Sequence, residues 1–174
     1  IHATAKKQSY QEYRLKVPAP VALITGAAVG SKIGAGAVRV IKSAAKIADF
    51  REGEVLVTKI TDPDWEPIMK IASAIVTDQG GRTSHAAIVS RELGIPCIVG
   101  TAQATKVLRT GVPVTVDCSA GRTGRVFPGI LAFESIEHRL DKVPETRTKV
   151  MVNIGSPDEA FSQYRLPVAG IGLG

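Results

Sequence analysis

Apolar residues in this chain come in short runs, cut at frequent intervals by Gly, Pro, Asp and charged residues. Short apolar strands with turn signals between them read as β structure, and longer amphipathic stretches read as helix. On that basis 21–25 is a strand, 26–36 a glycine-rich turn-forming stretch, and 37–41 a second strand. Residues 54–60 alternate well enough for a third strand, introduced by the Glu52-Gly53 turn. A short helix fits 65–72, with Asp64 as its N-cap and Pro67 in the first turn, where a missing N–H does no harm. The continuous apolar run 74–78 is a buried strand. A turn at 79–82 leads into a helix over 84–93, which Gly94 caps and Pro96 stops. Strand 95–99 follows, and Thr101 caps a third helix ending near Arg109, with Gly111 beyond it. Strands 114–118 and 124–127 make a hairpin around 119–123.

Strand, helix, strand, helix, strand in the middle of the chain predicts an α/β domain with some parallel pairing. The ends read differently. Residues 1–16 are polar and stop before Pro18-Ala19-Pro20, as a linker or the tail of a preceding domain would. The charged stretch 130–148 reads as an irregular linker, and 149–154 as a new strand, with a helix at 157–164. One strand and one helix cannot bury a core, so 149–174 is expected to open another domain. The first residues lack an initiator Met and an apolar signal core, the expectation for a piece of a cytoplasmic protein.

Composition refines this picture. At 174 residues and 44% hydrophobic the chain can bury one real core, but with 5% aromatics that core must be built from Ala, Val, Ile and Leu. No apolar run reaches the length needed to cross a membrane. A net charge of +6 invites a nucleic-acid reading. The basic residues are scattered, however, and no recognition motif accompanies them, so a solvated surface, with some attraction for anionic phosphoryl ligands or an acidic partner domain, fits better. Cys97 and Cys118 lie in apolar strands and read as small core residues. No Cys/His spacing suits zinc, His2 and His138 stand outside any motif, and Trp65 and Tyr164 read as packing residues.

Chemistry concentrates in Gly80-Gly81-Arg82-Thr83-Ser84-His85-Ala86-Ala87, a strand-to-helix junction. Amides at a helix start point outward and the helix dipole favours negative charge there. Glycines admit an anion close to the backbone, Arg82 is a fork suited to phosphate, and the Thr83 and Ser84 hydroxyls can cap the helix or donate to phosphate oxygens. A histidine in this first turn is expected to favour its neutral, nucleophilic form. A phosphoryl group carried on it would be stabilised by the dipole by roughly 0.3–1 kcal/mol. Chemistry alone leaves a second reading open, a turn and an N-capped helix with an exposed histidine. A metal site is disfavoured, because no second ligand lies three or four residues beyond His85.

The stretch Gly80 to Val89, with Leu93-Gly94-Ile95-Pro96 and Val99-Gly100-Thr101, resembles the phosphohistidine signature of the phosphoenolpyruvate-utilising enzymes. That group includes phosphoenolpyruvate synthase, pyruvate phosphate dikinase and Enzyme I of the sugar phosphotransferase system. Thr61-Asp62-Pro63-Asp64-Trp65-Glu66-Pro67, Ile33-Gly34-Ala35-Gly36 and Met151-Val152-Asn153-Ile154-Gly155 resemble the synthase branch. Ser84, where synthases commonly have Cys, resembles the other two.

The resemblance implies a swivelling β/β/α phosphohistidine domain of mixed sheets with flanking helices, at 17–129. It makes 1–16 and 130–148 the connections, and 149–174 the truncated start of a PEP/pyruvate-binding barrel. It implies that His85 is phosphorylated, on Nε2, and that Gly80, Gly81, Arg82 and Ser84 support the phosphoryl group. ATP and Mg²⁺ are implied for the complete enzyme only, bound by an ATP-grasp domain of the same polypeptide. Thr83 aligns with the threonine that a regulatory kinase/phosphorylase modifies. An Enzyme I-like or dikinase-like carrier is the alternative the resemblance leaves.

Overall fold

The computed structural model describes residues 9–139, 147–154 and 168–173. Glu12–Ser135 form one compact unit. Its centre is a closed barrel of seven strands: β2 (Ile24–Val29), β3 (Ile33–Val40), β4 (Val55–Thr58), β5 (Ala74–Thr77), β6 (Cys97–Val99), β7 (Pro113–Asp117) and β8 (Thr123–Pro128). Around the barrel the order is β2-β6-β5-β4-β3-β7-β8. The run β3-β4-β5-β6 is parallel, with Val38 opposite Val55, Val55 opposite Ala74 and Ile75 opposite Cys97. All other pairings in the barrel are antiparallel. The mixed α/β expectation holds, and the 114–118/124–127 hairpin is present as β7–β8.

Strand alternation divides the core in two. Ala28, Val38, Val55, Val57, Ala74, Val76, Ile98, Val114, Val116 and Val126 come from all seven strands and pack together as the barrel filling. Their small, branched side chains are what a narrow barrel admits, and this is where the scarcity of aromatics leads. The intervening residues Leu56, Ile75, Cys97 and Val99 face outward against Trp65, Ile68, Met69, Ala86, Ala87 and Val89. That second cluster seats α1 (Glu66–Met69) and α2 (His85–Leu93) on the parallel side of the barrel. A further short helix, α3 (Ala104–Val107), follows β6.

Several expectations shift. The glycine-rich stretch 26–36 is mostly strand, with a tight turn at 30–32. Its glycines answer to crowding: a Cβ on Gly34 would lie 2.2 Å from the Ser73 carbonyl oxygen, and one on Gly36 2.2 Å from that of Gly53. Asp64 does not cap the helix at 65–72. Asp62 does so one turn earlier, opening a 3₁₀ turn (Pro63–Trp65) with its Oδ1 accepting from the Asp64 N–H at 3.0 Å. The polar start and the charged stretch after 130 are not wholly irregular. They hold β1 (Ser9–Leu15) and β9 (Phe133–Arg139), which pair in a two-stranded sheet. Half-exposed strands of this kind carry alternating polar residues, which mimic a linker in sequence.

The second unit, Ile1–Gln11 with Ile136–Gly174, contains the parallel pair β10 (Met151–Ile154) and β11 (Gly170–Leu173). The strand expected at 149–154 is therefore present. The helix expected at 157–164 lies outside the described residues.

Candidate functional site at the start of α2

Three loops leave the carboxyl ends of the parallel strands β4, β5 and β6, the usual location for a ligand crevice in an α/β sheet. Backbone bonds continue past the strand ends and tie these loops together. Asp78 N–H donates to Thr58, Gln79 N–H to Lys59, Thr101 N–H to Thr77 and Ala102 N–H to Asp78, at 2.9–3.1 Å. The buried Asp78 carboxylate adds a clamp, accepting from the Thr105 N–H at 3.0 Å and its hydroxyl at 2.5 Å. The start of the loop to α2 is thus fixed to two neighbours.

Beyond the clamp the chain turns sharply. Gly80 has φ +105°, a conformation costly for any side chain, and a Cβ there would also lie 2.8 Å from Ser84 Oγ. Gly81 faces open space. Ser84 is the N-cap residue of α2 by backbone, but its hydroxyl turns back to donate to the Gly81 carbonyl at 2.8 Å. The expected Ser84 side-chain cap is therefore not made, because the tight Gly80–Gly81 turn brings a closer acceptor. Amides of the first turn of α2, which have no intrahelical acceptor, have no side-chain partner among the described residues. Arg82 and Thr83 are exposed. No hydrogen bond or ion pair to the Arg82 guanidinium occurs among the described residues, while its carbonyl accepts from Arg91 Nη2.

His85 is the first residue of α2 and is half-buried. Its Nδ1 lies 3.0 Å from the hydroxyl of Thr61, a buried residue on the loop after β4. Its Nε2 is enclosed and has no hydrogen-bond partner among the described residues. Thr61 is itself held in place. The neighbouring Asp62 carboxylate accepts from Asp64 N–H and, at 3.3 Å, from Nε1 of the buried Trp65.

The structure thus brings Gly80, Gly81, Arg82, Thr83, Ser84 and His85 into one loop and helix start. It adds Thr61, to which the sequence pattern assigns no role, and Asp62, which the sequence suggests only as a first-turn acidic cap, the role it takes in the 3₁₀ turn. Neither stands out locally, since a Thr after a strand and an Asp before Pro are ordinary turn residues. Only the resemblance draws attention to Thr61. Trp65 packs, as expected. Among the described residues, no three His, Cys, Asp or Glu side chains converge as metal ligands would.

The family model described as "PEP-utilising enzyme, mobile domain" matches residues 50–121, which include the whole loop and α2. The chain is 48% identical over 177 residues to phosphoenolpyruvate synthase of Aquifex aeolicus, a match covering 99% of this chain and 21% of that protein. It is 55% identical over 151 residues to the synthase of Deinococcus radiodurans, covering 87% of this chain and 19% of the other. The chain therefore spans about a fifth of the length of these relatives. A solution structure of Enzyme I overlaps 49% of this chain at 31% identity, but with a TM-score of 0.39 the overlap adds nothing to the assignment. About half of all residues are shared with these synthases over most of the chain, and residues 50–121, centred on the His85 loop, belong to the mobile domain of the phosphoenolpyruvate-utilising enzyme family.

Proposed function

We propose that this chain is the phosphoryl carrier of a phosphoenolpyruvate synthase, with His85 as the group that carries the phosphate. In this reading ATP, pyruvate and water become phosphoenolpyruvate, AMP and phosphate in two transfers. In the first, an imidazole lone pair of His85, on Nε2, attacks a phosphorus of the nucleotide. A P–N bond forms at the β-phosphorus of ATP and the P–O bond to the departing AMP breaks; water then attacks the outer phosphorus of the pyrophosphoryl group on the ring, the P–O–P bridge breaks and phosphate leaves. In the second, the enolate oxygen of pyruvate attacks the same phosphorus and the P–N bond breaks. ATP and Mg²⁺ belong to an ATP-grasp part of the complete enzyme and pyruvate to a barrel part. This chain supplies the carrier at 17–129, connections at 1–16 and 130–148 that hold β1 and β9, and the opening of the barrel at 149–174.

The observation that carries the reading is the placement of an imidazole at the first residue of a helix whose leading amides lack a side-chain cap. Backbone donors and the positive helix end stabilise the dianion that transfer leaves on the ring. Gly80 and Gly81 keep the approach free of side chains, and exposed Arg82 offers a bidentate contact. Ser84 holds the turn through its bond to Gly81. Exposed Thr83 is the regulatory position. A phosphate there would put a second dianion two residues from His85 and repel the incoming group. The test is a chase with the full-length enzyme. Label taken from ATP onto the protein should leave as phosphoenolpyruvate when pyruvate is added, and His85→Ala should take up none. Label that stays on the protein in the presence of pyruvate contradicts the reading.

A further inference from the structure

The residues just ahead of α2 form a tight turn. Ser84 donates to the Gly81 carbonyl with its N–H at 3.0 Å and its hydroxyl at 2.8 Å, which closes Gly81-Arg82-Thr83-Ser84. The central peptide of such a turn, here Arg82–Thr83, has no bond within the turn and can face either side. In this structure it is held from outside. Nη2 of Arg91, in the last turn of α2, donates to the Arg82 carbonyl. Arg91 stands six residues after His85, about 9 Å further along the helix. Helical side chains lean toward the N-terminus, so its guanidinium lies back over its own helix to reach the loop. A planar trans peptide points its C=O and N–H in opposite directions. With the Arg82 carbonyl fixed on the Arg91 side, the Thr83 N–H is fixed on the other, where it has no partner among the described residues.

We propose that Arg91 is a positioning residue for phosphoryl capture. Its hold on the Arg82 carbonyl sets the Arg82–Thr83 peptide, so that the Thr83 N–H joins the leading amides of α2 as a donor to the phosphoryl group. The role rests on the carrier reading. A cation in the last turn of a helix is favoured by the negative helix end whichever way it points. This one reaches away from that end, over about two turns, to a carbonyl beyond the other. Among the described residues it has no acidic partner, and the Arg82 carbonyl is what its side chain bonds. The other ties of the loop lie to either side. Asp78 is clamped to Thr105 and Ser84 grips Gly81, and neither touches the Arg82–Thr83 peptide. Without Arg91 that peptide is free to tilt, and a tilt brings its carbonyl oxygen toward the place where the dianion needs a donor.

The first transfer in the full-length enzyme tests this, followed in a single turnover from ATP labelled at the β-phosphorus to the protein. Arg91→Gln should slow labelling of His85 by roughly 5- to 20-fold, the factor for one charge-assisted hydrogen bond at a surface. The ATP concentration giving half-maximal rate should stay as in the parent, because the nucleotide is bound elsewhere. Arg91→Lys keeps the charge at the helix end, but its nitrogen falls one atom short of Nη2, so it should recover at most part of the lost rate. Labelling of Arg91→Gln at the parental rate overturns the proposal. A slower rate that saturating ATP restores does so too, since the defect would then lie in nucleotide binding. Full recovery by Arg91→Lys does the same, since charge alone would then suffice. The carrier reading fails separately, through a parent enzyme that takes no label on His85.

Discussion

Two adjacent glycines in the His85 loop have different duties. Gly80 sits at φ +105°, where an added Cβ would lie 2.8 Å from Ser84 Oγ, whereas a Cβ on Gly81 would meet open space. Gly80→Ala should therefore strain the loop by about 1–3 kcal/mol and reduce phosphate capture at His85 in the complete enzyme. Gly81→Ala should be nearly neutral for stability. Urea unfolding of the two variants, read beside their labelling rates, separates the roles; equal effects would show that the turn is not specified by Gly80. A second residue-scale expectation concerns Cys97 and Cys118. Burial pushes both thiols up to about 12, so neither presents a thiolate at neutral pH. Both should be silent to a chromogenic thiol reagent in the native chain and react once it is unfolded.

At the scale of elements, α2 was legible in full. Ser84 before an apolar run and Gly94 after it mark the ends, and Gly94 does adopt the left-handed conformation, with its N–H returning to Ser90 and Arg91. Gly94→Ala should accordingly cost about 1 kcal/mol, seen as a lower thermal midpoint. Strands β5 and β6 are equally plain, because residues buried on both faces give unbroken apolar runs, whereas β4 is read from alternation over 54–60 although all four of its residues are buried. The stretch 26–36 was misread because glycine signals a turn and a close backbone approach alike, and only the packing of β3 against Gly53 and Ser73 decides between them. Strands β1 and β9 were missed for the opposite reason, since alternating polar residues on an exposed ribbon look like linker. In the site, residues contiguous in the chain could be named beforehand. Thr61 could not be given a role, because its contact with His85 spans 24 positions and exists only once β4 and β5 lie side by side.

Across the whole barrel, stability should depend on acid through one ion pair. Arg39 on β3 grips Glu54, just before β4, with Nη2–Oε1 at 2.6 Å and Nε to both carboxylate oxygens at 3.0–3.1 Å. The Arg39 hydrogen bonds hold the Glu54 carboxyl below the usual carboxylate range; partial burial opposes this, and the Arg51 N–H assists. A carboxyl whose folded pKa lies below its unfolded value, about 4.3, adds stability that is complete above that value and disappears as pH falls through the folded one. Glu54→Gln should therefore cost about 2 kcal/mol near neutrality and less at each step down in pH below about 5, until the two urea midpoints converge. A constant gap would contradict the assignment. The closed barrel and its three tied loops form a rigid mount for a single reactive side chain, and the claim that unites these scales is that this side chain bears phosphate. The most direct measurement is to incubate the full-length enzyme with ATP, digest it under mildly alkaline conditions and locate the phosphate by mass spectrometry. An acid-labile, base-stable phosphate on the imidazole of His85 is the predicted result. A phosphate found on another residue, or uptake undiminished in His85→Ala, would contradict the account.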